Sequence, residues 1–231
     1  MREIVLDTET TGLDPAAGHR IVEIGCIELF NHVPTGETYH QYVNPERDMP
    51  TEAERVHGLS EEFLSGHPIF TDIAADFLDF IGDAPLVIHN AAFDMGFVNA
   101  ELKIAGWPTV DKRRAIDTVS MARQKFPGAQ ASLDALCRRF GIDLSERSLH
   151  GALLDAQLLA AVYLELLGGR QHGMDLAAEM AAAGNGGDQA VTADMQASGR
   201  RAPRAHTASD DELARHAEFL EKIKDPIWLR G

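Results

Sequence analysis

A change in composition at residue 177 limits the fold of this 231-residue chain more than any other feature of its sequence. The 33 residues from Ala177 to Ser209 include eleven alanines and four glycines, but no leucine, isoleucine or aromatic residue. Such a segment buries too little apolar surface to offset the conformational entropy that folding removes. The composition therefore predicts a folded domain over 1–170, a flexible linker over 177–209 and a separate C-terminal segment over 210–231.

The C-terminal segment has the features of a short helix. Ser209 and Glu212 have the spacing of a capping box, apolar residues follow one helical face from residue 213, and Pro226 ends the pattern. A helix this short has no core of its own, so we expect it to dock on a partner. Two alternatives stay open: the helix packs back on its own domain, and the linker contains an alanine-rich helix over 176–183.

The first 170 residues have the pattern of a mixed sheet. Strands are predicted at Ile4–Leu6, Ile21–Phe30, Thr38–Val43, Leu86–Ile88 and Ala115–Asp117. Helical periodicity is found over 70–81, 97–105, 132–140 and 151–167. Consecutive strands followed by alternating helices and strands are typical of an α/β fold, here a mixed five-stranded sheet flanked by helices.

Charge and cysteine content exclude several classes of protein. The formal charge is −15, with 36 acidic residues against 21 lysines and arginines, which argues against a protein that holds nucleic acid by electrostatics alone. It is compatible with an enzyme that meets nucleic acid through metal ions or through a larger partner, and also with a simple role in solubility. Two cysteines cannot form a disulfide framework. With no long apolar run and no signal peptide, we expect a cytoplasmic protein without a membrane partner.

Carboxylates stand at the ends of three predicted elements. Asp7 and Glu9 follow the first strand and point to the same side, because side chains in a strand alternate. Asp94 follows the strand Leu86–Ile88, and ligands of open α/β sheets gather beyond the strand ends. His150 precedes Asp155 by five residues, so the two converge only if His150 lies in the loop before the last helix.

Each of these features alone has a simple structural explanation. Asp7 and Glu9 could be a solvated strand end, Asp94 a helix cap, and His150 with Asp155 a surface pair at a helix start. Together, four carboxylates and no thiolate cluster fit a two-metal site for phosphoryl chemistry with Mg²⁺ or Mn²⁺. A histidine fits a general base. The other histidines we expect at the surface, including His19, His32, His40 and His67, and Asp117 has a structural or supporting role.

These motifs resemble the DEDDh exonucleases, a family with the ribonuclease-H-like fold. The resemblance rests on Asp7-Thr8-Glu9, Asp94, and His150 with Asp155. Longer motifs resemble, more narrowly, the proofreading 3′→5′ exonucleases of bacterial replicative DNA polymerases. They are His19–Gly25, Val56–Leu59, His89–Asp94, Phe126–Gly128, Ser132–Cys137 and Leu149–Ala156, and the resemblance covers about residues 1–176.

The resemblance implies a metal-dependent 3′→5′ exodeoxyribonuclease acting on the single-stranded 3′ end of DNA. Two divalent cations would be bound by Asp7, Glu9, Asp94 and Asp155. His150 would take the proton of the attacking water, and a nucleoside 5′-monophosphate would leave. The terminal nucleotide would be bound by Asp7, Glu9, Thr10, Glu52, Ala53, Val56, His57 and Asp155.

The resemblance also implies protein partners. The segment Gln171–Leu176 resembles a sliding-clamp-binding peptide, with Gln171, Met174 and Leu176 as anchors. The segment Asp211–Leu229 would bind the polymerase subunit, and the resemblance leaves room for a small third subunit.

Two other functions fit parts of the sequence. A free-standing DEDDh nuclease that trims RNA or short oligonucleotides has the same catalytic residues, but needs neither linker nor docking helix. A structural subunit that only bridges clamp and polymerase needs neither the four acids nor the histidine.

Overall fold

The computed structural model describes residues 1–145, 149–168 and 209–222. The predicted clamp-binding peptide 171–176, all but residue 209 of the predicted linker 177–209, the alternative alanine-rich helix 176–183 and the segment 223–231 lie outside these described residues. The chain divides into two compact units, Met1–Asp175 and Leu176–Gly231. No helix within the described ranges is long and apolar enough to span a membrane.

The first unit contains one five-stranded mixed sheet, which confirms the predicted fold class. Its strands are β1 (Arg2–Thr10), β2 (Ile21–Phe30), β3 (Val33–Tyr42), β4 (Leu86–Ile88) and β5 (Ala115–Asp117), in the order β3-β2-β1-β4-β5. The pairs β1–β2 and β2–β3 are antiparallel, whereas β1–β4 and β4–β5 are parallel. The central strand β1 is therefore parallel to β4, and the ends of both strands meet at one edge of the sheet.

Seven α-helices are described in this unit. They are α1 (Thr51–His57), α2 (Glu61–Leu64), α3 (Phe70–Ile81), α4 (Ala91–Ile104), α5 (Thr118–Lys125), α6 (Leu133–Phe140) and α7 (Ala152–Leu166). Helices α1 and α2 were not predicted, because seven and four residues make too few turns to show a periodicity. Helix α5 was not predicted either, because it is as short as α6 and its sequence has no clear apolar stripe. Helix α4 begins six residues earlier than predicted, at a left-handed Asn90.

Helices cover both faces of the sheet. Ile4 and Leu6 of β1 pack with residues of α3 and α4, whereas Val5 packs with residues of α6 and α7. This division follows from the alternation of side chains along a strand. Asp7 and Glu9 continue the alternation of Val5, so they lie on the face that α7 covers.

The second unit contains a helix over Asp210–Glu221. The predicted capping box is confirmed. The Glu212 N–H donates to Ser209 Oγ at 3.3 Å, and the Ser209 N–H donates to Glu212 Oε2 at 2.9 Å. Both bonds satisfy backbone donors that a helix start leaves without partners.

Candidate active site

The strand β1 carries two of the predicted acidic residues. It was predicted to end at Leu6, but its pairing with β2 continues to Thr10, so Asp7 lies opposite Gly25 and Glu9 opposite Glu23. Both carboxylates therefore project from a face of the sheet rather than from a loop. The register shifts between Glu9 and Thr10, an irregularity that redirects the chain beside these acids.

Gly25 allows the start of α7 to lie directly against the sheet. A Cβ atom at Gly25 would be 2.3 Å from the carbonyl carbon of Ala152 and 2.3 Å from the nitrogen of Leu153. Only glycine permits this approach. As a result Asp155, in the first turn of α7 and 3% exposed, lies near Asp7 on the neighbouring strand.

His150 lies in the loop before α7. Its backbone N–H donates to the carbonyl of Val56 at 3.1 Å, which fixes the loop against α1. The His150 Nδ1 is 3.2 Å from Asp155 Oδ2. Possible ligand atoms of Glu9, His150 and Asp155 all lie within 4.8 Å of one another.

Asp94 joins the group from the first turn of α4. Its Oδ1 accepts hydrogen bonds from the Thr8 N–H at 3.0 Å and from Thr8 Oγ1 at 2.7 Å. The alternative that Asp94 caps the helix is wrong, because the cap position is Asn90 and Asp94 lies four residues further on. Asp117 has a structural role, since its Oδ1 caps α5 and also accepts from the Asn90 N–H at 3.1 Å.

The electrostatics of this cluster are those of crowded carboxylates. Burial raises the pKa of Asp7 well above its usual value, and the negative charges of Asp94, Glu9 and Asp155 raise it further. Burial also raises the pKa of Asp94 to about 7, against the opposing effect of its hydrogen bonds from Thr8. The crowded acids are therefore costly to ionise together unless a cation lies among them.

These acids line one cavity of about 340 Å³. None of the described residues that line it is a lysine or arginine. Carboxylate oxygens with an imidazole suit hard divalent cations such as Mg²⁺ and Mn²⁺. The residues present therefore fit a divalent metal centre, and we call this space the acidic cavity.

A second cavity of about 550 Å³ adjoins the acidic cavity and shares Thr8, Glu9 and Phe93 with it. Besides Asp7, Glu9 and Asp155, which line the acidic cavity, five residues were predicted to bind the terminal nucleotide. All five line this second cavity, namely Thr10, Glu52, Ala53, Val56 and His57. We call it the terminal pocket.

His57 closes one side of the terminal pocket. Its Nδ1 accepts a hydrogen bond from the Leu59 N–H at 3.0 Å, and burial lowers the pKa of its imidazole. His57 is therefore neutral at physiological pH, with its proton on Nε2.

Phe93 and His19 are among the residues of the terminal pocket that were not predicted. The prediction of a surface His19 is wrong, because its ring is half-buried and its Nδ1 lies 3.2 Å from Thr11 Oγ1. A Cβ at Gly12 would be 2.4 Å from that ring. In the sequence, Gly12 was the available indication that another group packs closely against the backbone here. It did not reveal that this group is the His19 ring.

His40 is exposed, as predicted, and its Nε2 lies 2.7 Å from Glu23 Oε1. Glu23 is the residue opposite Glu9 in β2. The contact joins the consecutive strands β2 and β3, whose register brings residues 23 and 40 together.

Comparison with known proteins identifies relatives of this chain. A sequence profile of the exonuclease family matches residues 4–163. The chain is 50% identical over 226 residues to DNA polymerase III subunit epsilon of Rickettsia felis, covering 96% of this chain and 97% of the relative. It is 43% identical over 232 residues to the protein of that name from Escherichia coli K12, covering 96% and 93%.

Solved structures resemble the first unit in fold. The nuclease domain of 3′hExo, a DEDDh family member bound to rAMP, superposes with a TM-score of 0.63 at 19% identity, covering 72% of this chain and 91% of that domain. Exonuclease X in complex with 5′-overhanging duplex DNA has a TM-score of 0.56 at 24% identity, covering 71% and 90%. From the matched profile and the extent of these similarities, we conclude that the chain belongs to the exonuclease family, among the DNA polymerase III epsilon subunits.

Proposed function

We propose that this protein is the proofreading 3′→5′ exonuclease of a replicative DNA polymerase, which removes 3′-terminal nucleotides from DNA as 5′-monophosphates. The observation that carries the proposal is that the acidic cavity and the terminal pocket lie side by side and share Thr8, Glu9 and Phe93 in their linings. One strand end can then place its last nucleoside in the terminal pocket and its last phosphodiester in the acidic cavity. The relatives named DNA polymerase III subunit epsilon support DNA as the substrate.

In this proposal Asp7, Glu9, Asp94 and Asp155 hold two divalent cations, Mg²⁺ or Mn²⁺. When bound, such ions neutralise the charge that develops on the phosphate and favour ionisation of the attacking water. His150 accepts the proton of that water. The contact between its Nδ1 and Asp155 orients the ring and presents Nε2 as the accepting atom.

The terminal pocket selects an unpaired nucleotide. Thr10, Glu52, Ala53, Val56 and His57 surround the nucleoside, and Asp7, Glu9 and Asp155 contact it from the acidic cavity. A mismatched end separates from its template at lower energetic cost than a paired end, so it enters the pocket more often. The pocket thereby converts weak pairing into preferential hydrolysis.

The remainder of the chain serves assembly. We propose that 1–170 is the nuclease domain, that 171–176 binds the sliding clamp through Gln171, Met174 and Leu176, and that 210–231 binds the polymerase subunit across a linker of 177–209. Tethering of this kind gives an effective concentration of about millimolar for short linkers. An acidic nuclease of charge −15 then needs little affinity of its own for DNA, within a cytoplasmic replisome.

The purified chain tests the nuclease proposal. With Mg²⁺ or Mn²⁺ it should release 5′-mononucleotides from single-stranded DNA, and chelation with EDTA should abolish the release. Activity that persists in EDTA would contradict the metal mechanism.

Truncation tests the assembly proposal separately. A chain without 177–231 should keep its nuclease activity and lose copurification with the polymerase subunit. Copurification of the truncated chain would contradict the assigned role of the C-terminal segment.

A further inference from the structure

A third cavity, of about 490 Å³, adjoins the acidic cavity on another side. It shares His89 and Ser132 with the acidic cavity, but shares no lining residue with the terminal pocket. The acidic cavity therefore shares lining residues with two cavities that have no lining residue in common. We call the third cavity the Arg123 groove, after the arginine of α5 that lines it.

The chemistry of a 3′-terminal nuclease assigns an occupant to the Arg123 groove. If the scissile phosphodiester lies in the acidic cavity and the last nucleoside in the terminal pocket, the preceding nucleotide must leave by another side. We propose that the Arg123 groove binds the penultimate nucleotide of the strand, and that the Arg123 guanidinium contacts the phosphate on its 5′ side. This inference rests on the proposed function, and it adds a binding site to it.

The residues of the groove suit a phosphate. Arg123 is the only lysine or arginine among the described residues that line it, and its side chain is exposed. Gln130, Ser132 and Asn90 also line it, and these residue types commonly donate to phosphate oxygens. The acidic cavity next to it has no lysine or arginine in its described lining. Along the path proposed for the strand, the lining thus changes from carboxylates in the acidic cavity to an arginine in the groove.

One carboxylate, that of Asp117, lines the groove as well. Its oxygens accept hydrogen bonds from the Asn90 N–H at 3.1 Å, the Val119 N–H at 3.0 Å and the Ser120 hydroxyl at 2.8 Å. These donors compensate its charge, so it opposes a phosphate less than a carboxylate without partners would.

The same contacts join α5, the helix that carries Arg123, to the start of α4. Asp117 ties the first turn of α5 to the turn that starts α4, and His89 Nδ1 lies 2.9 Å from Thr118 Oγ1. Arg123 follows on the same helix. The wall of the groove is therefore built on the elements that position Asp94.

Two substrates separate binding in the groove from chemistry in the acidic cavity. A single-stranded oligonucleotide has a penultimate nucleotide with a phosphate on its 5′ side, whereas the 5′-p-nitrophenyl ester of thymidine monophosphate has only a nitrophenyl leaving group in that place and no second phosphate. Arg123→Glu should raise KM for the oligonucleotide by about tenfold or more, because a charge-assisted contact is lost, and should leave hydrolysis of the ester unchanged. Arg113→Glu is the matched control, since Arg113 is exposed and precedes β5, at the end of that strand opposite to Asp117.

The salt dependence of KM distinguishes a phosphate contact from a purely structural role of Arg123, because a structural role would leave it unchanged. Loss of one phosphate contact with a single strand should reduce the slope of log KM against log salt concentration by about 0.7. Arg123→Ala should show this reduction, and Arg123→Lys should retain the slope of the wild type.

The possible outcomes are distinct. Wild-type protein that cleaves neither substrate in Mn²⁺ would overturn the proposed function, and the groove with it. Wild-type protein that cleaves both, with an unchanged oligonucleotide KM and salt slope in Arg123→Glu, would overturn the groove alone. Loss of ester hydrolysis in Arg123→Glu would also overturn it, because the arginine would then act on the acidic cavity or on the fold.

Discussion

Replacing Gly25 by alanine should damage the candidate active site without touching any of its acidic residues. Gly25 lies opposite Asp7 in the sheet, and its missing side chain is what lets the first turn of α7 reach the strand. Asp155 is in that turn, and His150 lies just before it. A methyl group at Gly25 therefore acts on the spacing between Asp7 and the α7 side of the cluster.

The size of the displacement follows from the contact distances. The new Cβ would be 2.3 Å from backbone atoms of Ala152 and Leu153, whereas carbon atoms in contact are ordinarily about 3.5 Å apart or more. The helix start must then move by about 1 Å, because a backbone cannot rotate away as a side chain does. A misplacement of about 1 Å at a reacting centre costs about 100-fold in rate. We therefore expect Gly25→Ala to lower kcat by about 100-fold.

Release of mononucleotides from single-stranded DNA in Mn²⁺ measures the effect, and Tm measured alongside distinguishes a displaced site from an unfolded chain. Gly96→Ala is the matched control. It adds the same methyl group within α4, where a Cβ has no neighbour within 4 Å, so activity should persist. If Gly25→Ala folds and keeps the wild-type kcat, then the approach of α7 does not set the geometry of the site.

Three further predictions concern single residues. His150→Ala should lower kcat by about 10²- to 10⁴-fold, with His216→Ala unchanged as a control; an unaltered rate would remove His150 from the role of base. Asp94 has a folded pKa of about 7 against an ordinary value of 3.8, so the metal-free folded protein keeps a proton that the unfolded chain releases. The Tm of the metal-free protein should therefore fall as pH rises from about 4 to 7, and it should recover when Mn²⁺ is added. Both effects should be smaller in Asp94→Asn. A metal-free Tm that rises over this pH range would contradict the reasoning. Glu101 is 2% exposed and accepts hydrogen bonds from Arg20 Nε at 2.7 Å and Nη2 at 2.8 Å. Its replacement by alanine should lower the free energy of unfolding by about 3–5 kcal/mol, measurable by urea denaturation. A loss below about 1 kcal/mol would show that Arg20 is readily rehydrated.

Local patterns were sufficient for the elements with a clear periodicity. The alternation along β1 already placed Asp7 and Glu9 on one side, and the five-residue interval between His150 and Asp155 required a loop position for the histidine. Local patterns failed where an element was short, or where the backbone conformation of the preceding residue set the start of the element. Helix α4 starts at Ala91 because the left-handed Asn90 before it turns the chain, and hydrophobic spacing contains no information about that turn.

The sequence by itself determined the class of sheet, the capping box at Ser209 and the identity of the acidic residues, because these depend on residue type and on intervals of a few positions. Only the tertiary structure decided that Gly25 admits α7, that His19 enters the terminal pocket and that Arg123 faces a groove beside the acidic cavity. Those contacts join residues far apart in the chain, and they depend on how closely two backbones approach. Distances of that kind arise from packing, which is a property of the folded chain as a whole.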